Sequence, residues 1–410
     1  MKALFIVTAY PRHEGDVITP WMGETIDRLK AVGVEVEVLA PAYKGSQTGS
    51  IRGVKVHRFR YGPAALETLT HDVPAMDRIA ALPAMAALLP GYIAAGTAAA
   101  ARIAREGNFD VVHAFWPIPH GIFGLAARSA SNAALVSTFF SSELNWTGFS
   151  RNLFAPMLRR IVAGSDAVTV ISSFTGERLR QFVPAVKSVI IPFGAAAQNQ
   201  KDAGRATIGT TRTATDPFNL LFVGRLVRRK GVDVLLNAAA HLANDSRLSI
   251  HIVGEGPERT SLMNEAKRLG LSGLVKFEGG VSSGRIAEFF ESCDALVLPA
   301  IVTESGETEG LGVVLLEAMG YGKPVIASDA GGITDIVIDG ETGVLSRAGD
   351  AVALARAIRG AMDDPARMGR LSENGKVHAE REFGWDTIVS RLVDTYHMAV
   401  YHRTGARTRI

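Results

Sequence analysis

A short β-branched run, a loop bearing Gly or Pro, then a helical stretch: this unit recurs from Ala3 to Ile191 and restarts at Leu220. The runs predict strands at 3–8, 35–39, 54–59, 111–114, 135–138, 167–171 and 189–191, with helical stretches such as 20–32 and 121–131 between several of them. Further strands are expected at 220–223, 248–253, 275–277, 295–298 and 324–327, with helices from about 232, at 259–269, at 285–292 and from about 312. Near-continuous apolar strands alternating with helices imply parallel sheets covered on both faces. The chain therefore reads as α/β, with two Rossmann-like doubly wound domains. Ligands in such sheets bind beyond the carboxyl ends of the strands, so a cleft between two facing domains is the expected site.

Residues 198–216 are rich in Thr, Ala and polar side chains and nearly free of large apolar ones, which places the interdomain linker there. The expected division is a first domain over 1–197, a second over 217–385, and a closing helix over 386–402 that rejoins the first. Trp385, Ile388, Leu392 and Tyr396 fall at steps of three and four, giving that helix one apolar stripe to bury.

Composition removes several classes. With 47% apolar residues the chain can bury a core, which excludes disorder. One cysteine, Cys293, excludes a disulfide scaffold and fits a reducing, cytoplasmic setting. A net charge of +3 is too small an excess to suggest a nucleic-acid partner. The N-terminal apolar run is short and is followed by Pro11-Arg12-His13-Glu14, which reads as a buried first strand rather than a signal peptide. Residues 79–101 carry no charge, but Pro83, Pro90 and Gly91 interrupt them. Two short helices joined near Pro90-Gly91 are expected, packed on the domain core; a peripheral membrane-facing surface is the second reading.

Chemistry concentrates at Glu304–Gly332, ESGETEGLGVVLLEAMGYGKPVIASDAGG. Glu309 and Glu317 flank Gly310-Leu311-Gly312, which opens an apolar helix whose N-terminus suits a phosphate. Glu309 can face the cleft, and Glu317 can accept hydrogen bonds from a ribose diol. The plainer account of each is a charge complementing the helix dipole or a solvated helix residue. Arg225 and Lys230 lie on the strand-to-helix loop after 220–223, where an arginine fork and a lysine suit a diphosphate. Arg228 and Arg229 read as solvated loop charge. Gly254, in Gly-Glu-Gly-Pro, marks a third glycine turn in the same domain. Cys293 has no His–Asp partner spacing and reads as a small buried residue. No His or Cys shows metal-ligand spacing.

These residues resemble the retaining, group 1 glycosyltransferases of family 4. The E-x7-E pair, the Gly-Arg…Lys-Gly loop, the Gly-x-Gly-Pro turn and the ending Phe383-Gly-Trp385 all carry the likeness. The resemblance implies the GT-B fold and a nucleotide-sugar site in the second domain, with no metal and no cofactor beyond the UDP- or GDP-sugar donor. By this likeness Arg225 and Lys230 hold the diphosphate and Glu309 contacts the hydroxyls of the transferred sugar. It places Glu317 at the ribose, amides of Leu311, Gly312 and Val313 at the phosphate, and backbone at Gly280-Val281 around the base. Gly15, with Arg12 beside it, resembles the family's glycine near diphosphate and acceptor. The family's Thr-x-His-Gly-x-Asp segment reads Thr138-Phe139-Phe140-Ser141-Ser142-Glu143 here. Phe140 replaces the histidine and can neither donate a hydrogen bond nor carry a proton, while Glu143 replaces the aspartate. His113 and His120 are substitutes for substrate contact, against a structural role for each.

The resulting expectation is a sugar transferase acting on a nucleoside-diphosphate sugar and a saccharide or lipid-linked acceptor, with retention, in cell-envelope or exopolysaccharide synthesis. It is expected in the cytoplasm or at the inner face of the plasma membrane. A nucleotide-sugar epimerase and a sugar-nucleotide-binding homologue without turnover are the competing readings.

Overall fold

The computed structural model describes residues 1–16, 18–73, 75–145, 148–194, 213 and 215–405. Most of the expected linker, 198–216, lies outside the described residues. Two compact units make up the chain. One holds Met1–Ile171, Thr175–Ile191 and Ile388–Ile410; the other holds Ser172–Phe174 and Pro192–Thr387.

The first unit is built on eight strands: β1 (Lys2–Ile6), β2 (Glu35–Pro41), β3 (Gly49–Ile51), β4 (Val54–Phe59), β5 (Val111–Phe115), β6 (Ala134–Phe139), β7 (Ala167–Val170) and β8 (Val189–Ile190). Their order is β3-β4-β2-β1-β5-β6-β7-β8, parallel throughout except for β3 against β4. The chain leaves β1 to one side to form β2 and returns on the other side with β5, so the topological switch lies between β1 and β5. Every residue of β5 and β6 is buried, as expected of central strands with both faces covered.

The second unit has β9 (Phe218–Val223), β10 (Leu248–Val253), β11 (Val275–Gly279), β12 (Ala295–Leu298), β13 (Val325–Ser328) and β14 (Val344–Ser346). All pairs are parallel in the order β11-β10-β9-β12-β13-β14, which puts the switch between β9 and β12. Leu220, Phe222, Ile250, Ile252, Leu296 and Leu298 form its buried centre.

Two departures from the expected elements have simple causes. β3 has no β-branched run; it exists because Arg52 and Gly53, both at positive φ, make the tight turn that pairs Ile51 with Val54. The break within 79–101 falls earlier than expected. A helix at Ala75–Ala81 is followed by a 3-10 turn at Pro83–Leu88, and Leu89–Gly107 is one continuous helix. Pro90 sits in its first turn, where a missing N–H breaks no helical hydrogen bond. That helix buries Tyr92, Ala100 and Ile103, and a Cβ on Gly96 would lie 2.3 Å from the Phe123 ring. By length and composition alone, Pro83–Gly107 could cross a membrane; here one face packs into the core of the first unit.

Candidate active site

The loops after β9 and β12, at the switch point of the second unit, are held together backbone to backbone. Gly231 has φ +66°, and a Cβ there would lie 1.9 Å from the Pro299 carbonyl oxygen, directly after β12. The Ile301 N–H donates to the Arg229 carbonyl at 2.9 Å. From the other side, the Gly332 N–H donates to the Glu309 carbonyl at 3.0 Å, and a Cβ on Gly331 would lie 2.0 Å from that same oxygen. Only glycine permits these approaches.

The clamped loops bring Lys230 Nζ to 2.5 Å from Glu309 Oε2, with each side chain only 12% exposed. Burial pushes the Glu309 carboxyl up, but the Lys230 ammonium outweighs it, with help from Arg229, and holds the group below its ordinary value. Lys230 is the side-chain partner of buried Glu309 Oε2, so any group that draws the ammonium away leaves that oxygen to be satisfied by another donor. The neighbouring Thr308 Oγ1 is buried without a partner. Polar atoms left in this state are rare in folded proteins and mark a place where another molecule's donors and acceptors can be satisfied.

Gly312, at φ +93°, precedes the helix Val313–Gly320, and no side chain caps that helix. Its first amides therefore remain available to an anion. Leu311 is buried, while Val313 is half-buried. Glu317 lies one turn beyond Val313 and is half-buried; burial raises its carboxyl against the pull of Lys230. Lys230 thus acts on both carboxylates of the E-x7-E pair.

Arg225 is exposed, and its guanidinium has no partner among the described residues. Its loop is fixed by the Leu226 N–H to the Glu255 carbonyl at 2.8 Å. Gly254, at φ +145°, stacks on this loop so closely that a Cβ would lie 1.9 Å from the Gly224 carbonyl oxygen. Val281 is half-buried after β11, and the Gly280 N–H reaches Glu255 Oε1 at 3.3 Å, which ties the third loop to the second. Arg228 pairs with Asp233 at 2.6 Å, in keeping with a solvated loop charge. Arg229 differs from that expectation: it is half-buried and its charge bears on Glu309. Gly231 closes the Gly-Arg…Lys-Gly loop named from sequence, but its bracing role, like that of Gly331 and Gly332, is not legible there, since no spacing signals which carbonyl a glycine must approach.

In the first unit, Arg12 is exposed and pairs with Asp16 at 2.6 Å. Burial works to raise the Asp16 carboxyl, but Arg12 and His71 outweigh it and hold it at about 2. Arg58 donates to the Tyr10 and Pro11 carbonyls at 2.9 and 2.6 Å and so fixes the start of this loop. Gly15 is exposed, and a Cβ there would meet only the His13 ring, at 3.7 Å.

His113 and His120 take the structural role rather than substrate contact. His113 is 1% exposed, with Nδ1 at 2.8 Å from Tyr396 Oη and Nε2 at 2.6 Å from Thr138 Oγ1. His120 is fully buried; its Nδ1–H donates to the Phe115 carbonyl at 2.8 Å, leaving Nε2 to accept from Tyr92 Oη at 3.0 Å. Burial pushes the two imidazoles down to about 3 and about 4, so both stay neutral. Glu143 is also buried, accepting from the Phe140 N–H at 2.9 Å; burial pushes its carboxyl up to about 7.

Comparison with known proteins bears on the family and the fold. Residues 207–378 match the family described as "Glycosyl transferases group 1", and residues 18–194 match "Glycosyl transferase 4-like domain". A D-inositol 3-phosphate glycosyltransferase of Streptomyces avermitilis is 28% identical, covering 99% of this chain and 89% of its own length. A glycogen synthase of Mycobacterium tuberculosis is 28% identical over 71% of this chain and 69% of its own. Among solved structures, sucrose-phosphate synthase from Thermosynechococcus elongatus superposes with a TM-score of 0.73 at 24% identity, over 96% of this chain and 98% of that one. Anabaena HepE in complex with UDP gives 0.69 at 21% identity, over 96% and 99%. The two parallel α/β units are thus those of the GT-B fold. The chain belongs to the group 1 glycosyltransferases of family 4.

Proposed function

We propose that this glycosyltransferase moves a sugar from a UDP- or GDP-sugar to a saccharide or lipid-linked acceptor with retention of anomeric configuration. The work belongs to cell-envelope or exopolysaccharide synthesis in the cytoplasm or at the inner face of the plasma membrane. The observation that carries the reading is the buried Lys230–Glu309 pair beside an uncapped helix N-terminus, at the switch point of a parallel sheet. Breaking the anomeric C–O bond places negative charge on the diphosphate while the sugar becomes oxocarbenium-like. Lys230, Arg225 and the amides of Leu311, Gly312 and Val313 stabilise that charge. Once the diphosphate engages Lys230, Glu309 is released to accept hydrogen bonds from the sugar hydroxyls. Glu317 takes the ribose and the backbone at Val281 takes the base.

The acceptor hydroxyl attacks from the face that the phosphate leaves. A new bond forms between the anomeric carbon and the acceptor oxygen, the bond to phosphate breaks, and the hydroxyl proton passes to the departing phosphate oxygen. The leaving-group charge is met by the cations and amides of the chain. Structures of HepE described with UDP and with UDP-glucose support uridine as the base to test first.

A thermal-shift screen of uridine, guanosine and adenosine diphosphates tests the donor site. A ligand at about 100 times its Kd adds about 2.7 kcal/mol to the native state. One nucleotide is expected to raise the unfolding midpoint of the wild type and to lose most of that effect with Lys230→Ala. No shift with any of the three would remove the donor assignment.

A further inference from the structure

At the switch point of the first unit, between β1 and β5, aromatic side chains converge beyond the strand ends. Trp21 opens the helix that follows β1, Trp116 follows β5, and Phe140 follows β6. The Trp116 and Phe140 rings stack at 4.1 Å with an interplanar angle of 18°. Trp21 meets Trp116 edge-on at 5.9 Å and 62°, and lies 5.8 Å from Phe140. Phe140 is 8% exposed and braces the group, whereas both indoles keep part of their surface open. Phe140 covers one face of Trp116, and no ring lies on the opposite face among the described residues.

The backbone around this group is strained in a concentrated way. Thr19, Trp116 and Ser141 each adopt a positive φ (45°, 49° and 84°), and each stands immediately before a helix or 3-10 turn that no side chain caps. Non-glycine residues rarely take this conformation, and such strain gathers where a site is built. The rim is polar. Thr19 Oγ1 is buried without a hydrogen-bond partner, two residues before Trp21. The Glu143 carboxyl accepts the Phe140 N–H at 2.9 Å, beside the stacked ring.

We infer that Trp21 and Trp116, backed by Phe140, form a stacking platform for a pyranose ring of the acceptor saccharide. An indole face receives the C–H face of a pyranose, and the unpartnered Thr19 hydroxyl suits one of its hydroxyl groups. An isoprenoid chain would gain from the rings but would leave the polar rim unpaired, which is costly. The platform occupies the place where ligands bind in open parallel sheets, at the carboxyl ends on either side of the switch. In the position where the resemblance leads one to expect a histidine, Phe140 supplies the support for this stack. The inference rests on the transfer proposed above, since it assigns the platform to the acceptor.

Saturation-transfer NMR with methyl α- and β-pyranosides of glucose, galactose and mannose, each at millimolar concentration, tests it on the full chain. At least one is expected to be saturated most strongly on the protons of a single ring face. Trp116→Ala should weaken that binding roughly tenfold, and Trp116→Phe by less. Trp385→Phe, far along the sequence in the other unit, should leave it unchanged. The UDP or GDP thermal shift is measured in parallel and should persist in Trp116→Ala, which also shows that the variant folds. Absence of pyranoside binding in the wild type, or full binding in Trp116→Ala, would overturn the platform while the nucleotide shift stands. Farnesyl phosphate competing at this site in place of any pyranoside would likewise overturn it. A lost nucleotide shift in the wild type would instead count against the donor site.

Discussion

Lys230 and Glu309 show how much of a site depends on single atoms. Each alone is an ordinary charged residue, and a carboxylate beside a lysine stabilises little when both are exposed. Here both are mostly buried, so separating them without a replacement partner leaves an uncompensated charge. That makes the pair a poor structural fastener, and in the proposed function it exchanges its internal contact for a diphosphate and a sugar hydroxyl. Glu143 follows the opposite logic. Its folded value of about 7 lies above the ordinary 4.5, so between those values the folded chain holds a proton that the unfolded chain has released. Its contribution to stability is complete below about 4.5 and fades as pH rises through about 7. Glu143→Gln, which keeps an acceptor for the Phe140 amide, removes that dependence. The variant should gain on the wild type by about 1–3 kcal/mol between about pH 5 and about pH 8. Thermal midpoints at the two pH values would show it, and a constant gap would contradict the buried, proton-holding carboxyl.

Among elements, the loops after the strands matter more than the strands. Gly231→Ala should displace the Lys230 loop, because a methyl group cannot sit 1.9 Å from the Pro299 carbonyl oxygen. Loss of the positive-φ turn alone costs about 1–2 kcal/mol. Turnover should fall by more than that figure implies, as Lys230 leaves Glu309; near-wild-type kinetics would show that the clamp is dispensable. The strands themselves are legible: 54–59, 248–253 and 295–298 coincide with the observed β4, β10 and β12, because short runs rich in Val, Ile and Leu bounded by Gly, Asp or Pro have few other uses. The helix Val313–Gly320 is read from a different signal, a loop glycine opening a long apolar run. What was not legible depends on long-range contact. The helix Leu89–Gly107 starts rather than breaks at Pro90-Gly91, and the face it buries, with Gly96 against Phe123, is not written in local propensity. β3 rests on a two-residue turn at Arg52-Gly53, and the first of these is an unusual residue for positive φ. The neutral, doubly bonded states of His113 and His120 follow from Tyr396, Thr138, Tyr92 and the Phe115 carbonyl, most of them remote in sequence.

Over the whole molecule, one plan is used twice. Each unit is built on a sheet, parallel apart from β3, whose order reverses beside its first strand, β1 in one and β9 in the other. At one reversal the chain has gathered cations, carboxylates and free amides; at the other it has gathered indole rings and strained turns. The net charge of +3 has little meaning for the molecule as a whole, since the proposed function rests on two cations, Lys230 and Arg225. An epimerase would interconvert sugar nucleotides with no acceptor present, whereas a transferase should release nucleoside diphosphate appreciably only when an acceptor is supplied.

The most direct measurement is therefore nucleoside diphosphate release from the preferred sugar nucleotide, with and without acceptor, by the wild type and by Lys230→Ala. Release should depend on acceptor in the wild type and fall by about two orders of magnitude or more in the variant, because a charge contact made to the leaving group is lost. Turnover unchanged by Lys230→Ala would contradict the assignment of this site.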